Sequence, residues 1–559
     1  MADKNSRDFF SSSIGAMKKE RATFIAHYKD ISVNIAPRRG RFLFSDVNRG
    51  GSRYQKIVNS RGTQAHKIAR AGMVSGLISP ASPWFSLAAP DPETQEIPTV
   101  KIWVNIIQRL MRAIFNGSNL GIMAPKLIGE LLLFATGAMF DDDDFDDVSR
   151  YYVHTAGSYM IAQNDKQIVD TFAREFQITT INMVSWFGLE NVSVSVQDQY
   201  RQGNYQTWFP AVHYVDPNPE HDIRSHQNVK KLFRSVYFEP GGQDKNKFLS
   251  RKGYDEFPVY VPRWDTTDGD IYGTDCPAMT ALGDIRGLQV QEKLKGQGIA
   301  KMVSPPLKGP AALKDAAVES VPGGYTPSES VSASDKLESI YNVRLPIGEM
   351  RQDMDGVERR INEAFMVDMF LAISNMEGIQ PKNELELSQR NQERLLQVGP
   401  VLQGFHKDFL SKLIERTFNK MVRLNMIPPP PKELQGKNLK VEYISTLAMA
   451  QRAIATAGIE RMGSYVIGLS QAYPEVLDKF DADQSVDEYG AVIAIPPRII
   501  VSDADVKAKR EARAQQQLQA QRLEMAAQAA TAAKDASESS LEGDSVLSRA
   551  VSTMTGENQ

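Results

Sequence analysis

Apolar residues recur at helical spacing in several long stretches of the chain, separated by segments in which they alternate with polar ones. Phe9 to Tyr28 reads as helical, and the basic, glycine-punctuated stretch Pro37 to Arg53 reads as loop. From Gly62 to Ile78 the residues Ala65, Ile68, Ala69, Gly72, Met73, Gly76 and Leu77 fall three and four apart. They predict one buried helix face, ended by Pro80 and Pro83. A second amphipathic helix is predicted from Val100 to Phe115, with Ile102, Ile106, Leu110 and Ile114 as its packing stripe and Asn116-Gly117 as its stop. Lys126 to Met139 predicts a helix running into a strand. Ser149 to Ala162 and Gln167 to Gln177 predict strands joined by a turn at Asn164-Asp165. Over residues 205–275 aromatic and polar positions alternate between frequent Pro and Gly, which predicts short strands, Phe257 to Arg263 among them. The fold class is therefore α+β.

At Asp275 the pattern changes. An acid suited to a helix N-cap, a proline in the first turn, and Met279, Leu282, Ile285, Leu288 and Leu294 predict a long helix to about Met302. Ser304 to Leu345 is rich in Pro, Gly, Ser and Ala and too poor in large apolar residues to bury much alone, so it is expected to order against a neighbouring subunit. Met350, Met354, Val357, Ile361 and Phe365 then form a one-sided stripe on a second long helix. After a break at Met376 to Pro381, a third helix carries Leu395, Val398, Leu402, Phe405, Phe409 and Leu413. A kink is expected at Gly399-Pro400, and the proline run Pro428 to Pro431 is expected to end the element. Asp503 to Asp535 holds no Gly or Pro and is a strong helix former, yet Val506, Leu518 and Leu523 give it only a thin apolar stripe. It implies self-association or a solvated extension. Ser537 to Gln559 reads as disordered.

At 559 residues the chain is too long for one core, and with 42% hydrophobic and 24% charged residues most of it folds. Its 65 Lys plus Arg against 68 Asp plus Glu leave a net charge of -3. That excludes tight, salt-released DNA binding as the main activity, while leaving DNA as a sliding cargo. A single cysteine, Cys276, excludes an intrachain disulfide framework. The Met1 to Lys4 start offers no signal core, and Leu127 to Phe140 is too short and interrupted to span a bilayer, so neither secretion nor membrane insertion is expected.

Candidate chemistry is sparse. The run Asp141, Asp142, Asp143, Asp144 with Asp146 and Asp147 offers clustered carboxylates for Mg²⁺ or Ca²⁺, against the plainer reading of a solvated acidic turn between strands. Asp265, Asp268 and Asp270 resemble a calcium loop but lack its terminal Glu and read as a turn. No H-E-x-x-H array, nucleophile elbow or phosphate-cradling lysine loop occurs. No catalytic residue and no cofactor are assigned, and ATP hydrolysis would have to come from another protein. From the enzyme class, the reading these acids would support is a metal-dependent phosphodiesterase.

Four blocks in order resemble the head-to-tail connector, or portal, family of short-tailed (podovirus) bacteriophages. They are the 62–87 helix ending SPASPWFSL, the ELLLFATGAM block from Glu130, the FPVYVPRW block from Phe257, and YGTDCPAMTALGDIRGL from Tyr272. Together they cover about residues 55–455, and Thr274 and Asp275 depart from the Arg and Ser expected there. The resemblance implies a ring, usually a dodecamer, at the capsid portal vertex of the virion, made in the host cytoplasm. Through it double-stranded DNA is packaged and ejected. The alternative is another capsid-associated structural or scaffold protein. The resemblance implies a wing region at 1–275, a first stem helix at 276–303, a clip at 304–345 and a second stem helix at 346–374. A tunnel loop at 375–386, a kinked wing helix at 387–427, a crown at 428–502, a barrel-type helix at 503–535 and a tail at 536–559 follow. Met376, Glu377, Gly378, Ile379, Gln380, Pro381 and Lys382 of the tunnel loop would meet DNA. Residues 276–303 carry four cations and two acids and residues 346–375 three cations and six acids. Lys293, Lys295, Lys301, Arg351, Arg359 and Arg360 are thus candidates to face the lumen or a neighbour. The implied partners are copies of itself, terminase large subunit, major capsid and scaffolding proteins, a tail adaptor and internal ejection proteins.

Overall fold

The computed structural model describes residues 5–492 apart from 43–49, 80–82, 90, 92–93, 95–96, 223, 226, 242–246, 304–306, 309–337, 340–345, 376–398, 400, 435, 437–438, 444–458 and 460, together with 501 and 503–539. The chain folds as two units, Met1–Ile454 and Ala455–Gln559.

The first unit opens with α1 (Arg7–Ile35), longer at both ends than its apolar spacing alone predicts and capped by Ser6, whose hydroxyl accepts from the Phe9 amide. Phe10, Ile14 and Met17 pack on a sheet, and Tyr28, Ile31 and Ile35 enter a helical core. Helix α2 (Arg61–Leu77) buries Ala65, Ala69, Gly72, Met73 and Leu77 as predicted. β1 (Phe85–Ala88) follows. Helix α3 (Pro98–Gly117) lies where the sequence places it but presents another face to the core. Val100, Trp103, Val104, Ile107, Met111 and Ile114 are buried, whereas Ile102 is 61% and Ile106 39% exposed. Trp103 decides the orientation, its indole N–H donating to the Pro428 carbonyl at 2.9 Å inside the packed face.

Helix α4 (Leu120–Phe134) is buried on every side of its second half and is the centre of the helical core. Left-handed Ala135 (φ 56°) turns the chain into β2 (Ala138–Asp144), then β3 (Val148–His154), β4 (Tyr159–Gln163) and β5 (Val169–Thr179). The β4–β5 turn is closed by Asn164, whose side-chain oxygen accepts from the Lys166 and Ile168 amides. Short helices α5 (Thr180–Phe187) and α6 (Val194–Arg201) precede β6 (Trp208–Pro217), β7 (Phe233–Phe238), β8 (Ser250–Tyr254) and β9 (Val259–Tyr260). β9 is shorter than the predicted 257–263 strand, since Pro258 and Pro262 have no amide to donate to a ladder. Strands β4-β5-β6-β7-β8 form an antiparallel sheet and β3-β2-β9 a smaller one. The larger sheet is covered by α1 on one face, while Phe172 and Val215 meet Phe140, Tyr254 and Val259 on the other. Alternate residues of β5, Phe172 and Ala173, supply the two faces.

Helix α7 (Pro277–Val303) runs as predicted, and the two-residue strands β10 (Leu307–Lys308) and β11 (Glu338–Ser339) pair antiparallel within the 304–345 segment. The long helix predicted at 346–374 is not continuous: α8 (Ile347–Ala364) ends where Met366 adopts φ 53°, and α9 (Val367–Asn375) follows. The turn lets Phe370 settle on α2 at Gly72, where any Cβ would collide with the phenyl ring. Leu402, Phe405, Phe409 and Leu413 are all buried, as their spacing predicts, across a π-helical turn at His406–Leu410 that leads into α10 (Ser411–Arg423). The kink expected at Pro400 lies outside the described residues. α10 stops before the proline run, because left-handed Asn425 (φ 52°) lets the Met426 amide reach the Met421 carbonyl at 3.0 Å. β12 (Lys440–Tyr443) then pairs antiparallel with β1.

In the second unit residues 461–470 are helical, and α11 (Ala482–Val492) and α12 (Asp503–Ser539) follow. α12 continues four residues past the predicted end at Asp535, with Leu518 54% and Leu523 72% exposed. Residues 540–559 lie outside the described residues. No helix among the described residues is long and apolar enough to cross a membrane.

Candidate functional site: the paired helices α7 and α8 and the anchors beside them

The predicted tunnel loop, Met376 to Lys382, lies outside the described residues, as do most of 304–345. What the structure describes is how the flanking helices are held. α7 and α8 pack antiparallel. Arg360 bridges to Asp284 at 2.9 Å, and the Gln291 amide donates to Asp353 at 2.9 Å. The Asp284 carboxylate holds the Arg360 guanidinium above its usual pKa. Among the described residues the opposite charge of the two helices is thus used within the subunit at one ion pair, and the Arg360 end of it is exposed. Lys295 bonds Glu292 one turn away at 2.6 Å, while Lys293, Lys301, Arg351 and Arg359 are exposed.

Sequence reasoning missed the strap that holds α7 and α8. The Gln289 side-chain oxygen accepts from the Val58 and Asn59 amides at 2.7 and 2.8 Å, and its N–H donates to the Asn59 carbonyl at 2.7 Å. Asn59 in turn donates to Glu358 at 3.2 Å, so one segment ahead of α2 is stitched to both α7 and α8. Burial ends there. Beyond Gln289 no residue of α7 is buried, and Val290, Leu294, Met302 and Val303 are exposed.

The acidic run is neither a solvated turn throughout nor a single cluster. Asp141 to Asp144 lie in β2, so their side chains alternate between its faces, and the turn itself is Phe145 to Asp147. Asp141 is fully buried and accepts from Tyr260 Oη at 2.7 Å, Lys420 Nζ at 2.8 Å and Arg416 Nε at 3.0 Å. Lys420 also reaches Asp143 at 2.9 Å, and Arg416 reaches Glu256 at 3.4 Å. Partial desolvation by the packed neighbours raises the Asp143 carboxyl, but Lys420 and then Arg416 outweigh it, and the net shift is downward. Burial disfavours the Arg416 charge, and Asp141 leads the groups that reverse this and push its pKa up. Asp144 instead binds Arg150 at 2.6 Å. Among the described residues no group of three or more His, Cys, Asp or Glu is arranged to hold a metal ion. The two cations of α10 already occupy the oxygens of Asp141.

Three of the blocks singled out in the sequence converge. Gly273 sits against the Ala135 carbonyl, where a side chain would not fit, and its amide donates to Thr136 Oγ1 at 2.8 Å. The Trp264 amide donates to that same Ala135 carbonyl at 2.8 Å, and the Gly137 amide to Pro262 O at 3.1 Å. Cys276 precedes the first turn of α7, its thiol donating to Leu133 O at 3.4 Å and pushed up to about 12 by burial. Asp275, read as the cap, takes only the Thr280 hydroxyl, at 3.2 Å. Glu130 of the second block is buried and accepts from Arg39 at 2.7 Å, a further ion pair invisible in the pattern.

Comparison with known proteins places these features in a family. The portal protein of Salmonella phage epsilon15 is 40% identical over 534 residues, covering 96% of each chain. A probable portal protein of Bordetella phage BPP-1 is 39% identical over 536 residues, again covering 96% of each. Among solved structures, the virion of a native gene transfer agent particle matches 78% of this chain and 95% of its own at 11% identity. Its TM-score of 0.31 is too low to carry an argument. The family described as bacteriophage head to tail connecting protein matches residues 8–501, and the chain belongs to it.

Proposed function

We propose that this chain is the subunit of an axial ring, a dodecamer, at one vertex of a short-tailed phage capsid, through which double-stranded DNA enters and leaves. As a head-to-tail connector it is a structural, non-enzymatic portal component of the virion. In this reading residues up to 275 form the wing, α7 and α8 the stem, and 304–345 the clip. Residues 375–386 form the tunnel loop, α10 belongs to the kinked wing helix at 387–427, residues 428–502 are the crown, and α12 is the barrel-type helix. Terminase large subunit docks at the clip during packaging. A tail adaptor and internal ejection proteins, with the major capsid and scaffolding proteins, complete the partner set.

The observation that carries the reading is the stem. A two-helix hairpin whose outer half exposes Val290, Leu294, Met302 and Val303 is unstable as a lone protrusion and calls for neighbouring hairpins. The tunnel-loop assignment is supported by its flanks. α9 is pinned on α2 through Phe370, and α10 on β2 through Asp141, so a segment between them is carried on rigid supports. Replacing Met376 to Lys382 with a short Gly/Ser linker tests it. Ring formation and capsid incorporation are expected to stay near normal while DNA-filled heads become fewer. Filled heads at wild-type frequency would remove the loop from the channel.

A further inference from the structure

The helix face that the sequence assigns to the core, Ile102 and Ile106 of α3, is exposed, and the chain also presents a side chain shaped to cover it. We propose that the β2–β3 hairpin tip of one copy docks on α3 of the neighbouring copy, Phe145 lying on Ile102 and Ile106 while Asp146 pairs with Arg109. The contact rests on the ring reading above and names one seam of that ring.

Phe145 is fully exposed at the tip of a tight turn. The turn is pinned: Asp144 Oδ1 accepts from the Asp146 amide at 2.9 Å and the Asp147 amide at 3.3 Å, and Arg150 holds the other oxygen of Asp144 at 2.6 Å. Positive φ at Val148 (66°) closes the hairpin. Behind the tip, the Asp141 cluster ties β2 to α10. A rigidly held aromatic loses little conformational freedom on docking, which is what an interface anchor requires.

Charge selects the partner surface. α3 carries Lys101, Arg109 and Arg112 and no acid, whereas residues 141–147 carry six acids and no cation. Arg112 is engaged with the Phe85 carbonyl and ring, and Asp141, Asp143 and Asp144 have cations of their own. Arg109 and Asp146 are exposed and have no ion-pair partner among the described residues. Each thus lies beside exposed apolar surface, Arg109 one turn from Ile106 and Asp146 next to Phe145. The knob and the stripe are different surfaces of one chain, and Phe145 does not cover the stripe of its own copy. A contact between them is heterologous, and repeated around an axis it closes a ring instead of a pair.

The test uses the full chain. Phe145→Cys combined with Ile106→Cys, oxidised after assembly, is expected to give a ladder of covalent oligomers on a denaturing gel, with neither single variant giving one. Cys276 is buried and does not compete. Rings seen by electron microscopy without a ladder would overturn the contact while leaving the ring reading in place, and no rings from wild type would overturn that reading itself. In parallel, Asp146→Arg and Arg109→Asp should each raise the concentration for half assembly about threefold, the scale of an exposed ion pair, and the double reversal should restore it. A double variant no better than its weaker parent would also overturn the pairing. Both substitutions lie at exposed positions, and an unchanged circular dichroism spectrum separates lost docking from lost folding.

Discussion

Asp141→Asn should release α10 from the sheet. The native carboxylate is fully buried and faces two cations, Lys420 at 2.8 Å and Arg416 at 3.0 Å, themselves almost entirely buried. Asparagine keeps the size and one acceptor oxygen but leaves those cations with Asp143, whose side chain is largely exposed, and with Glu256 at 3.4 Å from Arg416. Breaking a buried pair from one side costs about 3 to 5 kcal/mol, because the remaining charge stays buried without compensation. Since each 1.4 kcal/mol is tenfold, amide-exchange protection of Ser411–Arg423 should fall by a factor of about 10² to 4 × 10³ where local opening governs exchange. Hydrogen exchange with peptide-level mass spectrometry reads this directly. Arg286→Gln, which removes an exposed ion pair to Asp30 at 3.1 Å, serves as the control and should change protection of its own helix by less than about fivefold. If Asp141→Asn changes α10 no more than the control changes α7, the buried ions do not lock the helix to the sheet.

Phe365→Ala should cost about 3 to 5 kcal/mol through the cavity left by a fully buried ring, more than any single change in 304–345, and an unchanged denaturation midpoint would contradict it. Gly72→Ala should lower the midpoint by displacing Phe370 and α9, whereas Gly283→Ala, whose Cβ meets open space, should leave it unchanged or raise it. His66, buried and held near pKa 4 chiefly by burial, contributes stability present above about pH 6.5 that is lost as pH falls toward 4, because the unfolded chain then binds the proton more readily. His66→Gln should therefore flatten the fall in denaturation midpoint across that window, and an unaltered slope would refute the assignment. Ending the chain at Ser502 should leave ring assembly intact, since α12 exposes Leu518 and Leu523, and a monomeric product on gel filtration would contradict it.

The long helices were legible because their apolar spacing is regular and Gly or Pro punctuates them. Orientation was not. α3 has apolar residues at 102, 103, 104, 106, 107, 110, 111, 114 and 115, which make two overlapping stripes, and periodicity alone does not say which one meets the core. Nothing local marks Met366 either. Its left-handed backbone lies between the buried Phe365 and Phe370, and the stripe continues through it. Asp141 reads as solvated because it sits in a run of acids, while the cations that bury it lie on a helix 275 or more residues away. The signal that was present was on the other side: Arg416 and Lys420, four apart, interrupt the buried face Leu413, Thr417, Met421 of α10, and cations on a core face demand acids opposite. The strap at Gln289 depends on three bonds to backbone atoms, which no side-chain pattern reports. The four sequence blocks, by contrast, pointed to one family over about residues 55–455, and three of them meet around the Ala135 carbonyl.

The central claim is a closed ring with an axial channel. Electron micrographs of the purified full-length chain, classified without imposed symmetry, test it most directly. The account predicts ring-shaped particles with a central hole and uniform rotational order, with the α7–α8 hairpins projecting around the channel. Monomers, or compact assemblies without a hole, at concentrations where the chain is soluble and folded would contradict it.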